Sequence, residues 1–243
     1  MKKRSVYPKI NWLTVAHDVL LVAWVAFAVI VAQNVVCFPA LWIFGRANYE
    51  TPLFTSILPA IVYIVTAFLV IIVPGLIDKK YKATKENLGL SELPTYTDIG
   101  LSALGFIATL LVSGIILNIL QNLNLVDSTQ VQDVGYSNLI NGTDRAVAFI
   151  ALVVVTPFFE ELIFRGWLYR RLKKKSGIAA AIILTAVLFG VLHGQWNVGI
   201  TVGIMSVIMC IEQELTDTIH AGILTHMLKN GIAFWLLYVV MGV

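Results

Sequence analysis

Apolar residues run along this chain in long blocks, not in an alternating pattern or a narrow stripe. The blocks cover about 12–33, 53–74, 99–121, 146–168, 178–193, 197–211 and 219–242. A helix that crosses the hydrocarbon core needs about 20 such residues, and in lipid an unclosed backbone can be satisfied only within a helix. The pattern therefore predicts an all-α polytopic membrane helix bundle of about seven transmembrane helices, within a range of six to eight. Ala26-Phe-Ala28 looks like a signal cleavage site, but the apolar run continues through Val29-Ile-Val-Ala32, so this block reads as a retained first span. Pro59, Pro74 and Pro157 fall in or near the blocks and are expected to kink or end the helices there. Residues 178–211 are short for two full spans around Gly194-Gln-Trp-Asn197. They predict either a shallow helical hairpin or a pair lining a cavity inside the bundle. No repeat or long linker marks off a second unit. Residues 1–144 read as N-terminal transmembrane helices and loops and residues 145–243 as the core carrying the chemistry, within one integral membrane domain.

Composition agrees. The 243 residues are 58% hydrophobic and only 13% charged, where an average soluble domain carries roughly 25% charge. Mean hydropathy is +0.85. A soluble globular protein, a disordered chain and a nucleic-acid binder are excluded. The two cysteines, Cys37 and Cys210, give neither a disulfide framework nor a cysteine zinc site, and both read as small hydrophobes. Most of the 17 Lys and Arg residues gather in three clusters. These are Lys2, Lys3, Arg4 and Lys9; Lys79, Lys80, Lys82 and Lys85; and Arg170, Arg171, Lys173, Lys174 and Lys175. Two spans separate each cluster from the next, so all three fall on one side, which the positive-inside rule makes cytoplasmic. The N-terminus is then cytoplasmic and the protein a multi-pass resident of the cell membrane, with a bacterial-looking topology. The 122–144 loop, with Asp127, Asp133 and Asp144, suits the outer side. Trp12, Trp42, Trp167 and Trp196 fit the interface level near span ends.

Ionisable groups inside apolar helices are costly and usually functional. They occur here in Pro157-Phe-Phe-Glu160-Glu161-Leu-Ile-Phe-Arg165, in Phe189-Gly-Val-Leu-His193 and in His226-Met-Leu-Lys229-Asn230. Adjacent helical residues point about 100° apart, so Glu160 and Glu161 cannot share one face. Glu161 and Arg165, at i and i+4, have the spacing of an ion pair. That leaves Glu160 as a poorly solvated carboxylate suited to accept a proton near neutral pH. The plain alternative makes all three a cytoplasmic helix cap. His193 shares a face with Phe189 and is either a base or a hydrogen-bonded structural group. His226 and Asn230, at i and i+4, can give two hydrogen bonds to one oxygen, as an oxyanion hole requires, or can glue two helices together. Lys229 points elsewhere, to snorkel or to meet a carboxylate. His17 beside Asp18, and His220 near Asp217, read as interface pairs. Counting rises of about 1.5 Å per residue from the basic 170–175 cluster puts Glu160 and His193 at similar depth, and His226 lies about 15 Å along a helix that begins near Thr216, so all three can meet inside the bundle.

Glu-Glu-x-x-x-Arg, then Phe-x-x-x-His, then His-x-x-x-Asn on successive apolar helices resembles the CPBP family, the CAAX-processing and bacteriocin-processing (Abi) intramembrane proteases. The likeness covers about residues 145–235, and Glu86-Asn-Leu-Gly-Leu90 looks like the short stretch often seen before the family's core. The resemblance implies an endopeptidase acting on small membrane-associated peptides or precursor proteins. Its catalytic set would be Glu160, Glu161, His193, His226 and Asn230, supported by Arg165 and Phe189. Glu160 and His193 would activate water, His226 and Asn230 would hold the oxyanion, and Arg165 would orient the glutamates. Partners would be a peptide or small membrane-protein substrate and the lipid bilayer, with no nucleic acid. No cofactor is expected. The alternative is zinc held by Glu160, His193 and His226, although the His-Glu-x-x-His helix usual in zinc proteases is missing. Two competing functions are a non-proteolytic membrane scaffold or regulator, of immunity or sensor-kinase type, and a small proton-coupled transporter.

Overall fold

The computed structural model describes residues 11–128, 130 and 142–237, all in helices and the turns between them. Helix α1 spans Trp12–Tyr49, and the Asn11 side chain accepts from the Leu13 N–H at its start. Helix α2 covers Pro52–Ile77, and two short turns, Lys79–Tyr81 and Lys85–Leu88, follow it. Helix α3 is Tyr96–Asn122, opened by a capping box between Thr95 and Asp98. Gly177, with φ of 79°, breaks the long helical stretch Gly142–Val191 into α4 (142–176) and α5 (178–191). Helix α6 is Trp196–Thr216 and α7 is His220–Trp235.

Over the described residues these seven segments match the seven apolar blocks, residues 238–242 of the last block lying outside them, and the fold is an all-α membrane bundle. Among the described residues five stretches are long and apolar enough to cross a bilayer: Trp12–Tyr49, Pro52–Ile77, Tyr96–Asn122, Gly142–Val191 and Trp196–Thr216. Helix α1 runs well past the expected end near residue 33. It passes through Pro39 and breaks only at Gly45, whose φ of 72° turns the chain. Pro74 and Pro157 do not end their helices either. Each directly follows or opens out of a widened π turn, Phe68–Ile72 or Ile150–Val155, which moves the preceding carbonyls off the proline ring. Residues 178–211 form a tightly packed hairpin. A Cβ on Gly190 would lie 2.6 Å from the Gly199 carbonyl oxygen, so α5 and α6 cross backbone to backbone.

The Gly142–Val191 stretch is the most buried of the candidate spans. Ile163, Phe164, Trp167, Leu168, Tyr169 and Leu172 have essentially no exposure, as expected of a helix apolar on all sides. Trp167 is thus a core residue and not an interface anchor: Arg171 stacks over its ring at 4.3 Å. Trp12, Trp42 and Trp196 are exposed.

Two of the basic clusters meet at one end of the bundle. Arg171 donates to the Tyr81 carbonyl (3.2 Å) and Arg170 to the Glu86 carbonyl (3.4 Å). The Ser176 hydroxyl reaches the Asp18 carboxylate, which brings the start of α1 to the same end. Lys2, Lys3, Arg4 and Lys9 lie outside the described residues. The 85–90 stretch docks here as well. Gly89, with φ of 75°, accepts from the Ile219 N–H (3.1 Å), and Leu88 covers Gly166. His17 contacts Asp18 as expected (3.2 Å). His220 does not pair with Asp217, because its ring lies on the Glu92 carbonyl (2.7 Å) while Arg170 takes Asp217.

Candidate active site

The chemistry-bearing residues sit on the middle of α4, the end of α5 and the middle of α7. Residues Thr156–Glu161 form a short α segment between two widened π segments, Ile150–Val155 and Leu162–Tyr169. Such wide turns re-aim side chains and are frequent at functional sites. The local cause is visible in the sequence. In the first π segment the Thr156 N–H bonds back to the Ala151 carbonyl. The next bond of that register would run from residue 157 to the Leu152 carbonyl, but Pro157 has no N–H. Asn230 fills the gap, its Nδ2 donating to the Leu152 oxygen at 3.0 Å.

Glu161 and Arg165 form the expected pair, 3.1 Å apart from Oε2 to Nε and fully buried. The contact is an ion pair without good hydrogen-bond geometry. Arg165 also lies over the Phe189 ring at 4.6 Å and reaches the Met209 sulfur. Phe189 is thus the floor that holds the guanidinium.

His226 bridges the two carboxylates. Its Nδ1 lies 2.9 Å from Glu161 and its Nε2 3.4 Å from Glu160. Glu160 is itself buried and makes no contact with Arg165, as the helical angles predict. It faces His226, Tyr63 from α2 and the charge of Lys229.

His193 is half-buried just past the end of α5. Its Nδ1 lies 2.8 Å from the Phe189 carbonyl. A carbonyl can only accept, so Nδ1 carries the hydrogen and Nε2 keeps its lone pair. Phe189 packs edge-on against His193 at 5.0 Å and against His226 at 5.8 Å. One ring thus ties the second motif to the third, and the three motifs meet inside the bundle.

His226 and Asn230 do share a face of α7, yet they do not point at one empty position. Asn230 gives one amide hydrogen to Leu152 and retains the second. Among the described residues no group of three His, Cys, Asp or Glu side chains is gathered as a metal site. His226 has both nitrogens directed at carboxylates.

Two residues near the site escape sequence reasoning. Tyr63 looks like an ordinary aromatic in an apolar span, and nothing in its spacing marks it. Glu212 lies one residue past the apolar block 197–211 and so reads as a helix end. In the structure it is buried on α6, accepting from the Thr225 hydroxyl (2.7 Å) in a space left by Gly105, where a Cβ would meet its carboxylate. The stretch Ile211-Glu-Gln-Glu-Leu215 was the available signal, because α6 continues through it to Thr216.

Residues 142–232 match the family model described as Rce1-like, type II CAAX prenyl endopeptidase. No curated protein and no solved structure matches the chain. The matched residues carry all three motifs and all of the contacts among them. The stretch that builds this site is therefore similar to the Rce1-like type II CAAX prenyl endopeptidases, within a multi-pass membrane chain.

Proposed function

We propose that the protein is an intramembrane endopeptidase that cleaves small membrane-associated peptides or precursor proteins with a water activated by Glu160 and His193. The observation that carries this reading is the convergence of two buried glutamates, two histidines and an arginine in an apolar bundle. Burying so many ionisable groups costs several kcal/mol each unless they are paired, and such clusters in membrane proteins mark function. Glu160 is the group left without a cationic side chain in direct contact other than His226. His193 offers a lone pair at Nε2. Between them they polarise a water for attack on the scissile carbonyl.

As negative charge grows on that carbonyl oxygen, His226 Nε2 and the second amide hydrogen of Asn230 would have to turn toward it to act as its donors. His226 would leave Glu160, which is the longer and weaker of its two contacts, and keep Glu161. Glu161 and Arg165 thereby hold the imidazole in place and do not touch the substrate. Glu160, protonated by the attack, returns the proton to the leaving amine, so no covalent intermediate with the protein forms. The mechanism uses no metal. The two basic clusters gathered at one end of the bundle support a cytoplasmic N-terminus.

The test is a comparative peptidome of membranes and medium from cells carrying wild type or Glu160→Gln at matched protein level. A precursor that accumulates uncut in the variant, with its product missing, supports the protease and gives the scissile bond. Identical peptidomes, in a background where deletion still has a phenotype, would replace it with the scaffold reading.

A further inference from the structure

A peptide bond inside a membrane helix is poorly open to hydrolysis, because its carbonyl is already bonded within the helix. A protease in a bilayer therefore needs a place where an unwound stretch of substrate can lie with its side chains and amides accommodated. Such a place exists beside the site. Helices α1 and α2 enclose a cleft of about 320 Å³, at the small end of ligand pockets. Its walls include Ile30, Gln33 and Cys37 from α1 and Thr55, Leu58 and Tyr63 from α2, and Leu192 closes it.

Three features connect the cleft to the chemistry. Tyr63 is shared, since it lines the cleft and reaches Glu160. Leu192 directly precedes His193, whose ring is fixed by the Phe189 carbonyl. Pro59 also lies in the wall, and it has no N–H to return to the Thr55 carbonyl one turn earlier. That carbonyl is a backbone acceptor suited to the amide of an extended strand, and the Gln33 side chain can serve the strand's other groups. The lining carries no charged side chain among the described residues and is predominantly aliphatic and aromatic.

Resting on the endopeptidase reading above, we propose that this α1–α2 cleft binds an uncharged, bulky apolar side chain of the unwound substrate next to the scissile bond. Selectivity then resides in α1 and α2, outside residues 142–232. The preference is for leucine- or phenylalanine-like residues and against lysine and glutamate, whose charges would find no partner there.

Cys37 supplies a reporter, because it lines the cleft and is half-exposed, whereas Cys210 is buried. Alkylation of Cys37 by N-ethylmaleimide, mapped by mass spectrometry in the Glu160→Gln protein, reads occupancy without chemistry. The probes are N-acetylated hexapeptide amides of glycine and serine with one central leucine, phenylalanine, lysine or glutamate. Leucine and phenylalanine peptides slow alkylation about tenfold at ten times their dissociation constant, and lysine and glutamate peptides do not. Equal rates with all four overturn the proposal and leave the cleft to lipid. The second measurement is the product spectrum of Thr55→Trp, which fills the cleft. Cuts beside bulky apolar residues fall about tenfold or more relative to cuts beside glycine and alanine. An unchanged spectrum overturns the proposal while leaving the protease intact. Protection by leucine peptides without any cleavage by wild type supports the cleft and removes the protease.

Discussion

Breaking the Arg165–Glu161 pair tests the electrostatic frame of the site. The two side chains are 0% exposed, 3.1 Å apart, and no solvent reaches either to replace a lost partner. Arg165→Met keeps the apolar stem against Phe189 and Met209 but leaves Glu161 as a buried carboxylate paired with His226 alone of the two cations it had. Removing one partner of a buried pair costs about 3–5 kcal/mol. For a chain of this size each kcal/mol moves Tm by about 2–4 °C, so the expected loss is about 6–20 °C by thermal unfolding in detergent. Glu161→Gln strands Arg165 and falls in the same range, although Gln keeps an acceptor for His226. The double variant has no stranded charge. It is more stable than the sum of the single effects predicts, by about 1–3 kcal/mol of coupling. Strict additivity in this cycle would refute the argument, since it would mean that neither residue depends on the other's charge.

Four further outcomes follow from the same contacts. Asn230→Ala leaves the Leu152 carbonyl unpartnered, at a cost of about 1–3 kcal/mol, and slows cleavage by about 10²–10³-fold through the lost oxyanion donor. Adding Pro157→Ala restores an N–H for that carbonyl and recovers stability in thermal unfolding but not the cleavage rate; recovery of both would make Asn230 purely structural. Gly190→Ala forces α5 from α6 at the Gly199 carbonyl, destabilises by about 1–3 kcal/mol and lowers activity by shifting His193, measured as Tm and as rate on one peptide. Incubation with EDTA or 1,10-phenanthroline leaves cleavage unchanged, and loss restored by added zinc would overturn the metal-free mechanism.

Much of this could be read in the sequence because membrane helices have few ways to hide ionisable groups. The Glu161–Arg165 spacing, the separate direction of Glu160 and the compatible depths of the three motifs all follow from helical geometry alone, and the contacts agree. What was not legible depends on packing between helices. Spacing cannot show that one imidazole would bridge both glutamates, or that Asn230 would serve a carbonyl released by Pro157. A proline in a span suggests a kink, but the outcome was a widened turn that keeps the helix continuous and aims the glutamates. Trp167 fits an interface position by its place near a span end, yet its neighbours in the folded chain bury it. Tyr63 comes from α2, far away in sequence and outside the matched region, and only the folded bundle brings it to Glu160.

The most direct measurement is single-turnover cleavage of one identified precursor by purified protein in liposomes, comparing wild type, Glu160→Gln and Glu161→Gln with thermal unfolding of each. The account predicts that Glu160→Gln keeps its Tm near wild type and loses the acid–base contribution, about 10²–10⁴-fold in rate. Glu161→Gln should lose stability together with rate. Glu160→Gln protein that is folded and cuts as fast as wild type would contradict the claim that Glu160 activates the water.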